Sequence, residues 1–288
     1  VIVDHSRYRF AARDVVIEID GRVGARVVEF SLAGRNVLTT SATHPESFGS
    51  TFWPSPQSLW GWPPPPELDS EPYRATANDH SVVFEGAPSR TLGIAVTKYF
   101  HLAPDGVVTV VYTMTNHGRT HLAVAPWEVT RVAHEGVTFF PFASRSEPPG
   151  ARPAPDHVTS HGLMWLPHGA PVPEDQKLYA NGSRGWLAHA TAHQLFVKVF
   201  PTISPAVAPG EAEVEVFVNH SPPYVELEQQ GAFVSLAPGR PVTWTVEWHL
   251  VPLPIGTPLT VAEPTLVHIV ECVLGARRAR PSHSAGMS

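Results

Sequence analysis

Five segments follow one another between residues 81 and 142: SVVFEG (81–86), GIAVTKYFHL (93–102), VVTVVYTMTNH (107–117), HLAVAPWEVTRV (121–132) and VTFFPF (137–142). Each is rich in β-branched and aromatic residues, and several alternate apolar with polar positions. Turn triplets separate them, among them Pro104-Asp105-Gly106 and Asn116-His117-Gly118. No helical pattern is interleaved. Strand after strand excludes a parallel α/β sheet and predicts a large antiparallel β-sandwich.

The same rhythm extends both ways. Upstream, VVIEID (15–20) and ARVVEFSLAGRNVL (25–38) read as a hairpin turning at Asp20-Gly21, with a second turn at Gly34. Downstream come GWLAHA (185–190), QLFVKVF (194–200), EVEVFVN (213–219), YVELEQQG (224–231), AFVSLAP (232–238) and VTWTVEWHLV (242–251). Two stretches break the rhythm. Residues 40–75, which include FGSTFWPSPQSLWGWPPPPELD (48–69), predict an ordered, aromatic-rich loop or a polyproline stretch, because Pro63 to Pro66 suit neither a sheet interior nor a helix. Residues 143–175 form a second excursion rich in proline and glycine. After residue 260 the pattern changes: Leu266, Val267, Val270, Val273 and Leu274 recur at helical spacing. The organisation expected is one β-sandwich domain over 1–260, followed by a short helix and tail over 261–288, with PSHSAGMS (281–288) disordered.

Composition limits the function classes. The 288 residues are 43% hydrophobic and only 16% charged, with a net charge of −6. That supports a sizeable core and offers no basic surface for nucleic acid. The only lysines are Lys98, Lys177 and Lys198, and the one cysteine, Cys272, excludes an internal disulfide. No apolar run reaches membrane-spanning length. No leader-like segment is visible, although the sequence opens on Val1, so the compartment stays unassigned. There is no phosphate-binding loop, dinucleotide fingerprint, GxSxG or HExxH, so no cofactor or metal is called for.

The strand Tyr224–Gln230 carries the candidate chemistry. Alternation sends Val225 and Leu227 to one face and Tyr224, Glu226 and Glu228 to the other. The two glutamates stand roughly 7 Å apart, near enough for one to raise the pKa of the other. A general acid or base needs that property; a solvated outer face is the plainer alternative. Glu213 and Glu215, in the same pattern just upstream, are assigned to the surface. Glu128 and Arg131 interrupt an apolar strand, either as site residues, with Glu128 facing Glu228 across a cleft, or as an ion pair at a strand end. Trp53, Trp60 and Trp62, braced by prolines, offer platforms for the C–H faces of sugars or a small core pinning the loop. Gln57 beside them can reach sugar hydroxyls. Lys177 and Trp186, candidate substrate contacts, bracket a further expected loop, DQKLYANGSRGW (175–186), where the lysine either meets an acidic sugar or is ordinary surface.

These motifs carry a resemblance. VELEQQGAFVSLAPGRPVTWTVEWHL (225–250) is similar to the closing segment of aldose 1-epimerases and other galactose-mutarotase-like proteins, and GRVGARVVEFSLAGRNVL (21–38) resembles their first hairpin. FWPSPQ (52–57), WGWPPP (60–65), APWE (125–128) and ELEQQG (226–231) resemble a bacterial group within that superfamily. The resemblance implies a supersandwich that binds a sugar or oligosaccharide on a concave sheet face. It puts the catalytic base at Glu228, with Glu226 as the neighbouring candidate; the strand matching the family's acid-bearing one offers Trp127, Glu128 and Arg131. The strand HLAVAPWEVTRV departs from the family by lacking the histidine that serves as acid. Epimerase-like acid–base chemistry is thus the leading expectation. A non-catalytic sugar-binding module, or a lyase or hydrolase on the same scaffold, is the alternative.

Overall fold

The structure, a computed structural model, describes residues 2–4, 6–203 and 207–279; the tail expected to be disordered, 281–288, lies outside them. Antiparallel pairing runs through two layers. In the first, neighbouring strands are Ile2–Asp4, Arg7–Ala12, Val15–Asp20, Arg26–Leu32, Ser50–Ser55, Leu122–Ala133, Pro223–Gln230, Val214–His220 and Gln176–Gly182. In the second they are Arg74–Ala77, Ser81–Glu85, Ile94–Leu102, Val108–Asn116, Pro241–Pro252, Gln194–Val199 and Trp186–Ala190. The strand Val137–Ser146 joins the layers. Its first half pairs with Trp186–Ala190 and Leu163–Pro167, and its second half with Gln176–Gly182.

Strand alternation builds the core between the layers. Ile94–Leu102 and Val108–Asn116 each bury every second residue, as a half-covered strand must. Phe30 of the first layer meets Phe196 and Trp248 of the second, with ring centroids 5.4 Å apart in both pairs. Phe52 stacks on Tyr112 at 4.1 Å across the same gap. The helix Pro264–Ala279 covers the outer side of the second layer, burying Leu266, Val270 and Val273 against Phe139, Trp165 and Val197. Each such side chain contributes about 1.5–3 kcal/mol, which a lone helix of this length lacks.

Three predicted loops contain regular structure. Ser50–Ser55 is a buried strand at the middle of the first layer. Pro54 hid it, but Pro54 lies opposite Pro126 on the neighbouring strand, so both missing N–H donors fall on one rung of the ladder. Pro66, last of the four prolines, opens the short helix Pro66–Asp69, the helical position where its lost N–H has no partner to lose. The stretch 175–186, expected as a loop, is mostly the strand Gln176–Gly182, and the excursion 143–175 holds the strands Val158–Ser160 and Leu163–Pro167.

Candidate functional site

The outer face of the first layer is a grid set by register. Along one row Thr51, Val129, Glu228, Glu215 and Tyr179 stand side by side on five successive strands. The next row holds Arg131, Glu226, Phe217 and Lys177. Trp53 and Trp127 pair on the other side. Val225 and Leu227 enter the core between the layers, so the alternation predicted for this strand holds.

Glu228 and Glu215 are directly opposite each other and both fully buried. Like charges so placed repel. Lys177, one diagonal step away, resolves the conflict: its Nζ lies 2.6 Å from Glu215 Oε2 and 3.1 Å from Glu228 Oε2. Trp127 Nε1 also donates to Glu228 Oε2, at 2.9 Å. Glu215 Oε1 accepts from the Ala212 N–H and from Gln230 Nε2. Glu228 Oε1 is buried and has no hydrogen-bond partner among the described residues. Two carboxyls therefore share one ammonium. Burial pushes Glu228 up to about 8; Lys177 opposes the rise, and Glu215 and then Glu226 add to it. Burial likewise raises Glu215 to about 7. Burial disfavours the charge on Lys177, but the two glutamates outweigh it and hold the ammonium well above the usual lysine range. Glu211, whose carboxylate accepts the Gln57 backbone N–H at 2.9 Å, stands on the same side and is also raised by burial.

Glu226 takes no part in this sharing. Its carboxylate accepts from Arg131 Nε at 2.7 Å, and Arg131 also donates to Thr51 Oγ1. The Arg131 guanidinium lies over the Trp53 ring. Trp53 is the keystone of an indole cluster: Trp60, Trp62 and Trp127 all stand within 6.1 Å of it, and its Nε1 donates to Asp69. Trp53 and Trp127 are buried, Trp60 is half-buried, and Trp62 is 62% exposed. The two readings of these tryptophans thus divide among them: Trp53 pins the loop and Trp62 faces solvent.

Four expectations need correction. Glu128 does not face Glu228 across a cleft: one residue from Trp127, it lies on the other side of the sheet, between the layers. Trp186 packs against Phe139 beneath the C-terminal helix, in an apolar cluster separate from that of Trp53 and Trp127. Glu213 and Glu215 are buried rather than surface residues. The Gln57 side chain turns back to the Gly61 carbonyl, and only its backbone N–H reaches the site, through Glu211. Alternation gave the correct face for Glu215 but could not show that loops cover that face.

Lys177 and Tyr179 reach an open cleft of about 530 Å³ beneath the segment Arg145–Ala154. A groove of about 680 Å³ at Asp14, Arg35, His193 and Ile255–Leu259 contains none of these carboxyls. Among the described residues no three His, Cys, Asp or Glu side chains are grouped to hold a metal ion.

The two-layer sandwich is that of galactose mutarotase-like proteins. A galactose mutarotase-like protein from Lactobacillus casei superposes with a TM-score of 0.59 at 14% identity, covering 85% of this chain and 100% of that one. One from Clostridium acetobutylicum gives 0.56 at 12%, covering 88% and 98%. A galactose mutarotase related enzyme from Lactobacillus acidophilus gives 0.59 at 9%, covering 88% and 100%. At such identities the likeness is one of fold. By sequence, residues 6–251 match the family described as a domain of unknown function, DUF4380, and the chain belongs to that family. No curated protein matches it.

Proposed function

We propose that the protein is carbohydrate-active. In this reading it binds a sugar against the outer face of the first layer and moves protons with the Glu228–Lys177–Glu215 cluster, in the manner of an aldose 1-epimerase. The observation that carries this reading is a pair of buried carboxyls on one lysine beside an indole cluster. Glu228, opposed to Glu215 across one lysine, is hydrogen-bonded to Trp127, which packs on Trp53 and Trp60. Anomerisation needs one group to take the proton of the anomeric hydroxyl and one to protonate the ring oxygen; the C1–O5 bond then breaks and recloses on the other face. A carboxyl whose pKa is raised toward neutrality both gives and takes a proton efficiently. Glu215 supplies the second carboxyl, where the aldose epimerases have a histidine. Trp62 and Trp60 provide the apolar platform, and Arg131 with Glu226 braces it.

The test is exchange spectroscopy by NMR, or polarimetry, on freshly dissolved α-galactose and α-glucose. The wild-type protein is expected to speed equilibration, and Glu228→Gln, which keeps the shape and the Trp127 contact, to lower the rate at least about 100-fold. Equal rates for the two proteins would end the assignment of Glu228. The complete burial of Glu228 favours a second reading, a sugar-binding module without turnover. It is upheld if sugars bind wild type and Glu228→Gln alike and neither protein turns them over.

A further inference from the structure

The cleft beside the carboxyl cluster has a lopsided chemistry. Its lining includes three cationic side chains, Arg145, Arg152 and Lys177, and one carboxylate, Glu147. Arg145 Nη2 lies 2.9 Å from Glu147, and its Nη1 is 3.4 Å from His157 Nε2. Arg152 Nη1 donates to Asp175 at 3.3 Å. A guanidinium carries five N–H donors in a planar fork and an ammonium three, and neither accepts. Tyr179 adds a phenol that burial first, and Glu215 and Glu228 after it, push up to about 12 against the opposing Lys177, so it stays a hydroxyl donor. Donors thus outnumber acceptors among the lining side chains, and each cation has at least one acidic partner. Lys177 is the floor: 11% of its side chain is accessible, and Glu215 and Glu228 hold its charge in place from beneath.

A neutral sugar presents hydroxyls, which donate as well as accept, and leaves such a wall short of acceptors. A carboxylate is acceptor-only, planar and matched to the guanidinium fork, and its charge-assisted bonds are roughly twice as strong as neutral ones. We propose that the sugar this site takes is an acidic one, a uronic acid or an oligosaccharide carrying one, its carboxylate held by Arg145, Arg152 and Lys177. The proposal rests on the carbohydrate reading above and narrows it to a substrate class. The proline-rich segment 148–155 brings Arg152 to the cleft, and the Pro153 carbonyl accepts the Lys177 N–H at 2.8 Å, tying rim to floor.

Titration calorimetry at pH 7 with D-galacturonate, D-glucuronate, D-galactose and D-glucose tests it. At least one uronate is expected to bind 10-fold or more tighter than its neutral counterpart, with an affinity that falls as salt is raised. Arg145→Ala and Arg152→Ala alter exposed side chains and should leave the fold intact. Each is expected to lower uronate affinity by more than it lowers neutral-sugar affinity, and so to remove most of the preference. Equal binding of uronates and neutral sugars, or a preference untouched by both arginine variants, overturns the acidic class and leaves the sugar site standing. Failure of all four sugars to bind overturns the carbohydrate reading, and this proposal with it.

Discussion

A fully buried lysine, Lys198, and a partly buried one, Lys177, on opposite sides of the first-layer sheet show how the number of acidic partners changes an ionic cluster. Between the layers, Lys198 Nζ lies 2.6 Å from Glu128 and donates to Thr130 Oγ1 and Gln229 Oε1. Glu128 in turn accepts from the Tyr112 hydroxyl, Trp248 Nε1 and Gln229 Nε2. One cation meets one anion, and every oxygen is occupied. On the outer face, Lys177 meets two anions, and one Glu228 oxygen has no partner. The stoichiometry sets the behaviour. A one-to-one pair has no spare carboxyl, whereas two carboxyls on one lysine leave one without a cation of its own and able to take a proton. The lysines differ accordingly: burial lowers Lys198 despite Glu128, while Lys177 is held well above its ordinary value.

The comparison is broken most severely at the inner pair. Glu128→Ala leaves a buried ammonium alone and should cost about 3–5 kcal/mol in urea denaturation. Glu128→Leu combined with Lys198→Met removes both charges and should recover part of that loss, the donors of Tyr112, Trp248 and Gln229 being left without Glu128. Lys177→Met should cost less, about 2 kcal/mol, because protons on Glu215 and Glu228 can substitute for the missing cation. The loss should grow as pH rises, and denaturation at pH 5 and pH 8 compares the two.

A smaller effect sharpens the distinction in the wild-type protein. The folded-state pKa of Glu228 is about 8, above that of an exposed glutamate. The folded protein therefore holds a proton that the unfolded chain has released between these values. The contribution is complete below the unfolded value and is lost as pH rises through about 8, with a slope of up to about 1.4 kcal/mol per pH unit. Glu215, raised to about 7, acts with the same sign. Melting curves from pH 5 to 8 should show stability falling in the wild type and a flatter profile in Glu228→Gln. Smallest of all, Trp62→Ala removes an exposed ring. It should change stability by less than about 0.5 kcal/mol and weaken sugar binding in calorimetry, setting platform apart from scaffold.

Much of the fold was legible along the chain. The alternation in GIAVTKYFHL and VVTVVYTMTNH carries its own period, and the periodic Leu266, Val270 and Val273 marked the C-terminal helix. The strand Ser50–Ser55 escaped because Pro54 argues against a strand until Pro126 is seen opposite it. At the site, the sheet face of Glu228 followed from alternation; its candidacy as a base, like that of Trp127 as a neighbour, comes from the resemblance, and the sequence leaves Lys177 open between a sugar contact and ordinary surface. Glu215 was not legible, for nothing local distinguishes a glutamate on a solvated face from one that loops have buried.

The sequence by itself determined the β period, the sheet face each side chain takes and the residue types available for proton transfer, because these depend on neighbours one or two positions away. Tertiary structure alone decided that Glu215 lies opposite Glu228, that Lys177 serves both, and that Glu128 belongs to the inner pair. Those partners are 13 to 70 residues apart along the chain. Register and burial, which set charge and pKa, exist only once the strands have paired.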